Sequence, residues 1–333
     1  MKNKNILNFI LIVVITGLVL YFSLKDNFIQ IMDTIFHMNL AFVVIAVICY
    51  LLYLFLKSVV VAMITKNFNK DYNIKKSFRM GLETNFFHAI TPFSTGGQPY
   101  EIYRLSKDGI SVLNAANVSI QNFIIYQLAL VFLGVFAIIY NYAFNLFPNN
   151  KVLESLVTIG FVINLLVAII LLLIILFKGM NKFFAKLAIN ILCFFHLVKD
   201  KELKLKQVTN QLNEFNEGGK LLLKNKKNFI KMFLIEFLAL VILYSIPFFI
   251  IMGSNINVNM NLLTVIVASA YVMLIGSFVP IPGGTGGLEY GFIAFYGNFL
   301  IGSSLNAIML VWRFITYYLG MIIGMIVLNL RKK

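Results

Sequence analysis

Pro92-Phe93-Ser94-Thr95-Gly96-Gly97 returns 190 residues later as Pro282-Gly283-Gly284-Thr285-Gly286-Gly287. Each copy interrupts an apolar stretch, and a glutamate soon follows, Glu101 or Glu289. Proline removes a backbone donor and glycine weakens helix, so the chain is broken twice where hydrocarbon offers exposed backbone nothing to bond. Paired interruptions in the two halves of a membrane chain point to a translocation-type site.

Around these breaks the chain is 60% hydrophobic and 12% charged over 333 residues. Several runs reach the roughly 20 residues that cross a bilayer. They are continuous rather than alternating in about 10-residue segments, which argues against a β-barrel. The expected fold is therefore all-α: a polytopic helical membrane protein with about six full spans and two Pro/Gly-broken re-entrant hairpins. The spans fall at 6–24, 40–65, 115–140, 156–177, 229–252 and 305–328, and the hairpins at about 72–114 and 258–302. Lys2 and Lys4 ahead of 6–24 look like the start of a signal peptide. The apolar run is too long for an h-region and no small-x-small site follows, so a retained span is expected.

The formal charge of +15 is concentrated beside spans. Residues 178–228 carry eleven Lys and four acids, the pattern of a cytoplasmic loop facing an anionic lipid surface rather than nucleic acid. Lys2 and Lys4, the stretch Lys66–Arg79, Arg104 with Lys107, and Arg331–Lys333 belong to that same side. Segments 25–39, 141–155 and 253–261 are poor in Lys and Arg and belong outside. Both termini are expected in the cytoplasm.

Residues 66–79 and 104–109 then share a side, so the first hairpin enters from within, with its tip at 91–100. The second dips from outside, with its tip at 280–288, although charge counting leaves open a full crossing by 258–279. A single membrane domain results, with half-repeats at 1–177 and 229–333 in inverted order around the basic loop 178–228. Within 198–227, Leu203, Val208, Leu212 and Phe215 recur at helical spacing. They predict an amphipathic helix on the inner surface or, as an alternative, a solvated linker.

The breaks carry the candidate chemistry. Backbone N–H groups around Gly96, Gly97, Gly283, Gly284, Gly286 and Gly287 can converge on an anion, and each half-helix that follows adds its positive end. Thr95 and Thr285 are candidates to cap those half-helices or hold a phosphate oxygen, and Gln98 offers an amide. Pro92, Pro280 and Pro282 are the structural breaks. The plainer alternative is tight connections with glycine chosen for close packing.

Glu83, Glu101, Arg104, Glu236, Glu289 and Arg313 lie in or beside apolar segments, where a lone charge is costly and needs a partner or a wet cavity. Arg313 is expected to pair with Glu289 or Glu236. Partly freed, it could take a lipid phosphate bidentately; the competing reading is a buried pair that sets helix register. Lys57 is expected to snorkel, His88 to be a hydrogen-bonded structural residue, and Trp312, Tyr317 and Tyr318 to be interface or packing aromatics. Three His and two Cys lack ligand spacing, so no metal, cofactor or disulfide framework is expected. Neither a Walker motif nor a nucleophile elbow with a histidine partner is present.

The segments TPFSTGGQPYEIYRL (91–105) and PIPGGTGGLE (280–289), with Arg313 in the last span, resemble the membrane region of lysylphosphatidylglycerol synthases, a flippase-like integral membrane family. The likeness covers essentially the whole chain. It implies movement of aminoacylated phosphatidylglycerol to the outer leaflet of a bacterial cytoplasmic membrane, and with it protection from cationic antimicrobial peptides. In full-length members a separate cytosolic domain transfers lysine from lysyl-tRNA to the lipid. This chain ends at Lys333, directly after its last apolar run. A transferase domain is therefore not expected in it, and a separate lysyltransferase or biosynthetic enzyme becomes an expected partner. The resemblance carries Gly96, Gly97, Gly286, Gly287, Glu289 and Arg313 to the membrane site alone.

The expected function is a translocase whose phospholipid substrate passes its headgroup between the hairpins. Phosphatidylglycerol lysyltransferase and a non-transporting lipid-binding scaffold are the alternatives.

Overall fold

The computed structural model describes residues 28–148, 151–194, 215–276 and 279–330. The span expected at 6–24, and all of 198–227 before Phe215, lie outside the described residues. The described chain is helical throughout, with no strand among its residues. A short α1 (Phe28–Phe36) leads to the long α2 (Leu40–Thr65), then α3 (Ile74–Ala89) and α4 (Gly97–Lys107), α5 (Val112–Phe144), α6 (Lys151–Leu176) and α7 (Lys178–Phe194). A short α8 (215–224) precedes α9 (Lys226–Gly253), α10 (Leu262–Gly276), α11 (Gly287–Tyr296), α12 (Gly302–Arg313) and α13 (Leu319–Leu330). A π-helical segment, Phe314–Tyr318, fuses the last two. Five of these runs are long and apolar enough to cross a membrane, and the protein is a multi-pass membrane protein.

Helix starts are set by side chains that satisfy the first free N–H groups. Asn39, Asn73, Ser111 and Asn225 accept from Ala41, Lys75, Asn114 and Asn228. The end of α5 is set by Asn145 in the left-handed region at φ 48.

α2 and α9 pack along their length in opposite directions. Asn39 donates its N–H to Gly253 O at 2.8 Å at one end, and Asn67 shares a recess with Asn225 and Asn228 at the other. α2 and α9 therefore finish on opposite faces of the bundle. α3 follows α2, and α10 follows α9, each after a short link, so the two hairpins enter from opposite faces.

The hairpin helices are shorter than the long spans. α3 has 16 residues and α10 has 15, about 24 and 22 Å at 1.5 Å per residue against a core of about 30 Å. The described part of the full crossing left open for 258–279 is α10, which runs to Gly276. The returning arms α4 and α11, of 11 and 10 residues, reach about half the thickness.

The last long helix shows how the hairpins stack. Its first half, α12, packs on α11, and its second half, α13, packs on α3, where Gly324 lets Leu82 O and the Phe86 Cβ come close. The hairpins thus lie end to end along one helix, and the turns Pro92–Ser94 and Pro282–Gly284 touch. Corresponding elements keep the offset of the sequence repeat: Pro92 and Pro282, Gly97 and Gly287, and Val112 and Gly302 each begin elements 190 residues apart.

Two apolar cores follow the same division. One gathers Tyr244, Phe292, Tyr296 and Trp312 around the second hairpin. The other gathers Val60, Met80, Leu105 and Leu222 beside the first. The described end of the expected surface helix belongs to this second core. Phe215 and Leu222 are buried, and Gln121 Nε2 donates to Gly218 O at 3.0 Å. Residues 215–224 pack on α5 and α6, with Gly218 against Asn117 and Gly219 against Ile175.

Candidate functional site

The two tips share one backbone. Each 3-10 turn opens on proline, and its next two residues are left-handed: Phe93 and Ser94 at φ 53, Gly283 at φ 65 and Gly284 at φ 63. Such a conformation costs a non-glycine residue about 1–2 kcal/mol. Glycine is additionally required at 283 by space, since a Cβ there would strike the Tyr317 ring.

The second tip is tied by charge. Arg313 Nε donates to Glu289 Oε1 at 2.7 Å, and its Nη2 donates to Gly283 O at 3.1 Å and Thr285 Oγ1 at 3.5 Å. Glu289 Oε2 accepts the Gly286 N–H at 2.6 Å. The carboxylate thereby caps α11 at the end where negative charge is favoured. Both groups are nearly inaccessible, at 4% and 6% exposure for Arg313 and Glu289. Two buried charges hold together best when their remaining lone pairs and N–H groups are also bonded, and here both Glu289 oxygens and the Arg313 Nε and Nη2 are. The Tyr317 ring lies 4.7 Å from the guanidinium, and its hydroxyl donates to Ala89 O of α3 at 3.0 Å. One side chain from the π segment therefore joins the second tip to the first hairpin; π-helical turns recur at functional sites.

The first tip is held by neutral groups. Thr91 Oγ1 donates to Phe87 O at 2.7 Å and accepts the Gly96 N–H at 2.8 Å. His88 Nδ1 donates to Ser94 O, and a Cβ on Gly97 would strike the same imidazole. The outer side of the turn is open, with Pro92, Phe93 and Thr95 exposed and Phe93 at 54%. Gln98 Oε1 is buried with no hydrogen-bond partner among the described residues.

Farther along α4, a carboxylate clasp closes the first hairpin. Tyr100 donates its hydroxyl to Glu83 Oε2 at 2.6 Å, and Arg79 Nε donates to Oε1 at 3.2 Å. Arg104 stands 3.6 Å from Glu83 and pairs with Asp108 at 2.8 Å. Glu101 Oε2 accepts from Ser119 at 2.9 Å, while its Oε1 has no hydrogen-bond partner among the described residues.

Of the residues expected at a site, Gly283, Thr285, Gly286, Glu289 and Arg313 converge on one constellation. Gly284 and Gly287 pack its backbone against Leu288 and Val279. Thr95, Gly96, Gly97 and Gln98 form the adjoining tip, while Glu101 and Arg104 face α5 and α3 lower in the hairpin. Pro280 leads into the second turn and is exposed.

Three expectations need correcting. Thr95 and Thr285 do not cap the half-helices; each hydroxyl closes its own turn by donating to Pro92 O at 3.0 Å or Pro282 O at 2.9 Å, and Glu289 caps α11 instead. Glu236 is not the partner of Arg313, since it faces Lys57 Nζ at 3.9 Å. Lys57 does not snorkel outward but stands over the Tyr126 ring at 4.8 Å. Tyr317, Thr91 and Tyr100 were not legible as site residues. Tyr317 and Tyr100 act across folds of the chain, and the one local hint was Thr91 four residues after Phe87, the spacing for a hydroxyl to bond back to a helix carbonyl.

Comparison with known families agrees with this architecture. The family described as the lysylphosphatidylglycerol synthase TM region matches residues 8–324, nearly the whole chain, and the chain belongs to that family. No curated protein matches.

Proposed function

We propose that the protein is a lipid translocase that moves a phospholipid or aminoacylated phosphatidylglycerol between leaflets. The observation that carries this reading is the meeting of the two hairpin tips inside the bundle. It brings broken backbone and an exposed tip to membrane depth, where irregular structure is tolerated only if it is buried or lines a polar path. The headgroup passes the open side of the first tip, at Thr95, Gly96 and the Gln98 amide, while its tails remain in lipid. Arg313, seated behind the second tip, biases that path toward a phosphate. The half-repeats rock against each other about the Tyr317 contact.

The family supports a link to lysylphosphatidylglycerol. On this reading the chain sits in a bacterial cytoplasmic membrane with both termini inside and residues 178–228 against anionic lipid. A separate lysyltransferase or biosynthetic enzyme supplies the substrate, and cationic-peptide resistance follows from the altered surface charge.

The test is reconstitution of the purified chain into vesicles loaded with lysylphosphatidylglycerol in the inner leaflet. A membrane-impermeant amine reagent reads its arrival outside. Labelling well above protein-free vesicles is expected; equal labelling would overturn the proposal. Added lysyl-tRNA and phosphatidylglycerol should yield no new aminoacyl lipid, and its formation would favour a transferase.

A further inference from the structure

Between α2 and α9 lies a second ion pair, built unlike the first. Glu236 is fully buried, neither of its carboxylate oxygens has a hydrogen-bond partner among the described residues, and Lys57 Nζ stands 3.9 Å away. Ten residues into α9, Glu236 sits about 15 Å from the start of that helix, near the middle of the hydrocarbon. A permanent pair of charges there needs close contact and bonds to the remaining lone pairs to offset desolvation. This pair has neither.

Lys57 has support of its own. Its ammonium stands over the Tyr126 ring at 4.8 Å and the Tyr53 ring at 5.7 Å, and its side chain is 29% exposed. Cation–π contact holds its charge when the carboxylate is neutral.

The groups around Glu236 are few. α2 contributes Lys57 and Tyr53, and α5 contributes Tyr126. α5 and α10 have no charged residue, and the one charge on α12 is Arg313, which Glu289 engages. Lys57 lies within electrostatic reach of Glu101 and His88 of the first hairpin, and one Glu101 carboxylate oxygen has no hydrogen-bond partner among the described residues.

We propose that Glu236 is a proton-binding site, with Lys57 as its switchable counter-ion, through which a proton gradient drives lipid movement. The coupling rests on the translocase reading above; the proton site itself does not. The Glu236 carboxylate takes one proton from water and becomes the neutral acid. Only an O–H bond forms, and it breaks again when the proton returns to water. In the protonated state Lys57 loses its counter-ion and is drawn toward Glu101, which carries the change to the first hairpin.

Two measurements on the full chain test this. Infrared difference spectra in nanodiscs, taken over roughly pH 4 to 9 where ordinary and buried glutamates titrate, should show a protonated-carboxyl band that titrates in the wild type and is lost in Glu236→Gln. If that variant fails to insert, Glu236→Asp should keep the band and shift its frequency. A spectrum unchanged by either substitution, or a Glu236 ionised throughout, would overturn the site. In vesicles, an imposed proton gradient should speed wild-type lipid transfer several-fold and leave Glu236→Gln at its gradient-free rate. Equal stimulation of both proteins would overturn the coupling. Wild type with no transfer in any arm would instead defeat the translocase reading, while the infrared result still decides the site.

Discussion

At the second tip, Gly283 and Gly284 take the left-handed turn without strain and are buried, the first beneath Tyr317 and the second against Leu288. At the first, Phe93 and Ser94 take the same turn against their preference, and Phe93 projects into the open. The second turn is locked by a carboxylate bonded through both oxygens and a guanidinium bonded through Nε and Nη2; the first is held from behind by a hydroxyl and an imidazole. One backbone device has thus been used twice, once as an anchor and once as a strained, accessible element. Strain of this kind gathers where a protein must change state.

Removing the anchor should have the largest effect. Arg313→Ala leaves Glu289 buried with a cap but no cation, and breaking one side of such a pair costs about 3–5 kcal/mol. Thermal unfolding in detergent should fall sharply and lipid transfer should be lost; a variant with wild-type stability and flux would erase the distinction between the tips.

Cutting the link between the tips should do less. Tyr317→Phe removes the hydroxyl that donates to Ala89 O, a bond whose net contribution is about 1 kcal/mol. Stability should drop slightly while transfer drops several-fold, and the opposite ranking would make the contact merely structural.

The smallest change makes the first tip resemble the second. Phe93→Gly relieves about 1 kcal/mol of backbone strain, so the melting temperature should rise a little while transfer slows. A lower melting temperature would mean that contacts of the Phe93 ring outweigh its strain.

Much of this architecture could be read in the sequence. The helices expected at 40–65 and 229–252 are present as Leu40–Thr65 and Lys226–Gly253, because hydropathy over about 20 residues responds to the bilayer and to little else. The breaks at Pro92 and Pro282 were equally legible, since proline and glycine act on their own backbone. The Lys/Arg count placed the two hairpins on opposite faces, and the antiparallel packing of α2 on α9 gives the same arrangement by an independent route.

Charge pairing was not legible to the same degree. Arg313 had two candidate carboxylates in the sequence, and α10 and the long helices α5 and α9 are apolar around much of their circumference. A helix without a one-sided apolar stripe, such as α9, says nothing about which way a charge in its apolar part, here Glu236, points.

The sequence by itself determined the class, the long apolar helices among the described residues and the two points where the chain breaks, because these depend on local backbone chemistry and on transfer from water to lipid. Only the tertiary structure decided that Arg313 meets Glu289 while Glu236 meets Lys57. Pairing depends on how each helix is rotated and how deeply it sits, and close packing sets both, as where Gly320 admits Tyr50 and Gly324 admits Phe86.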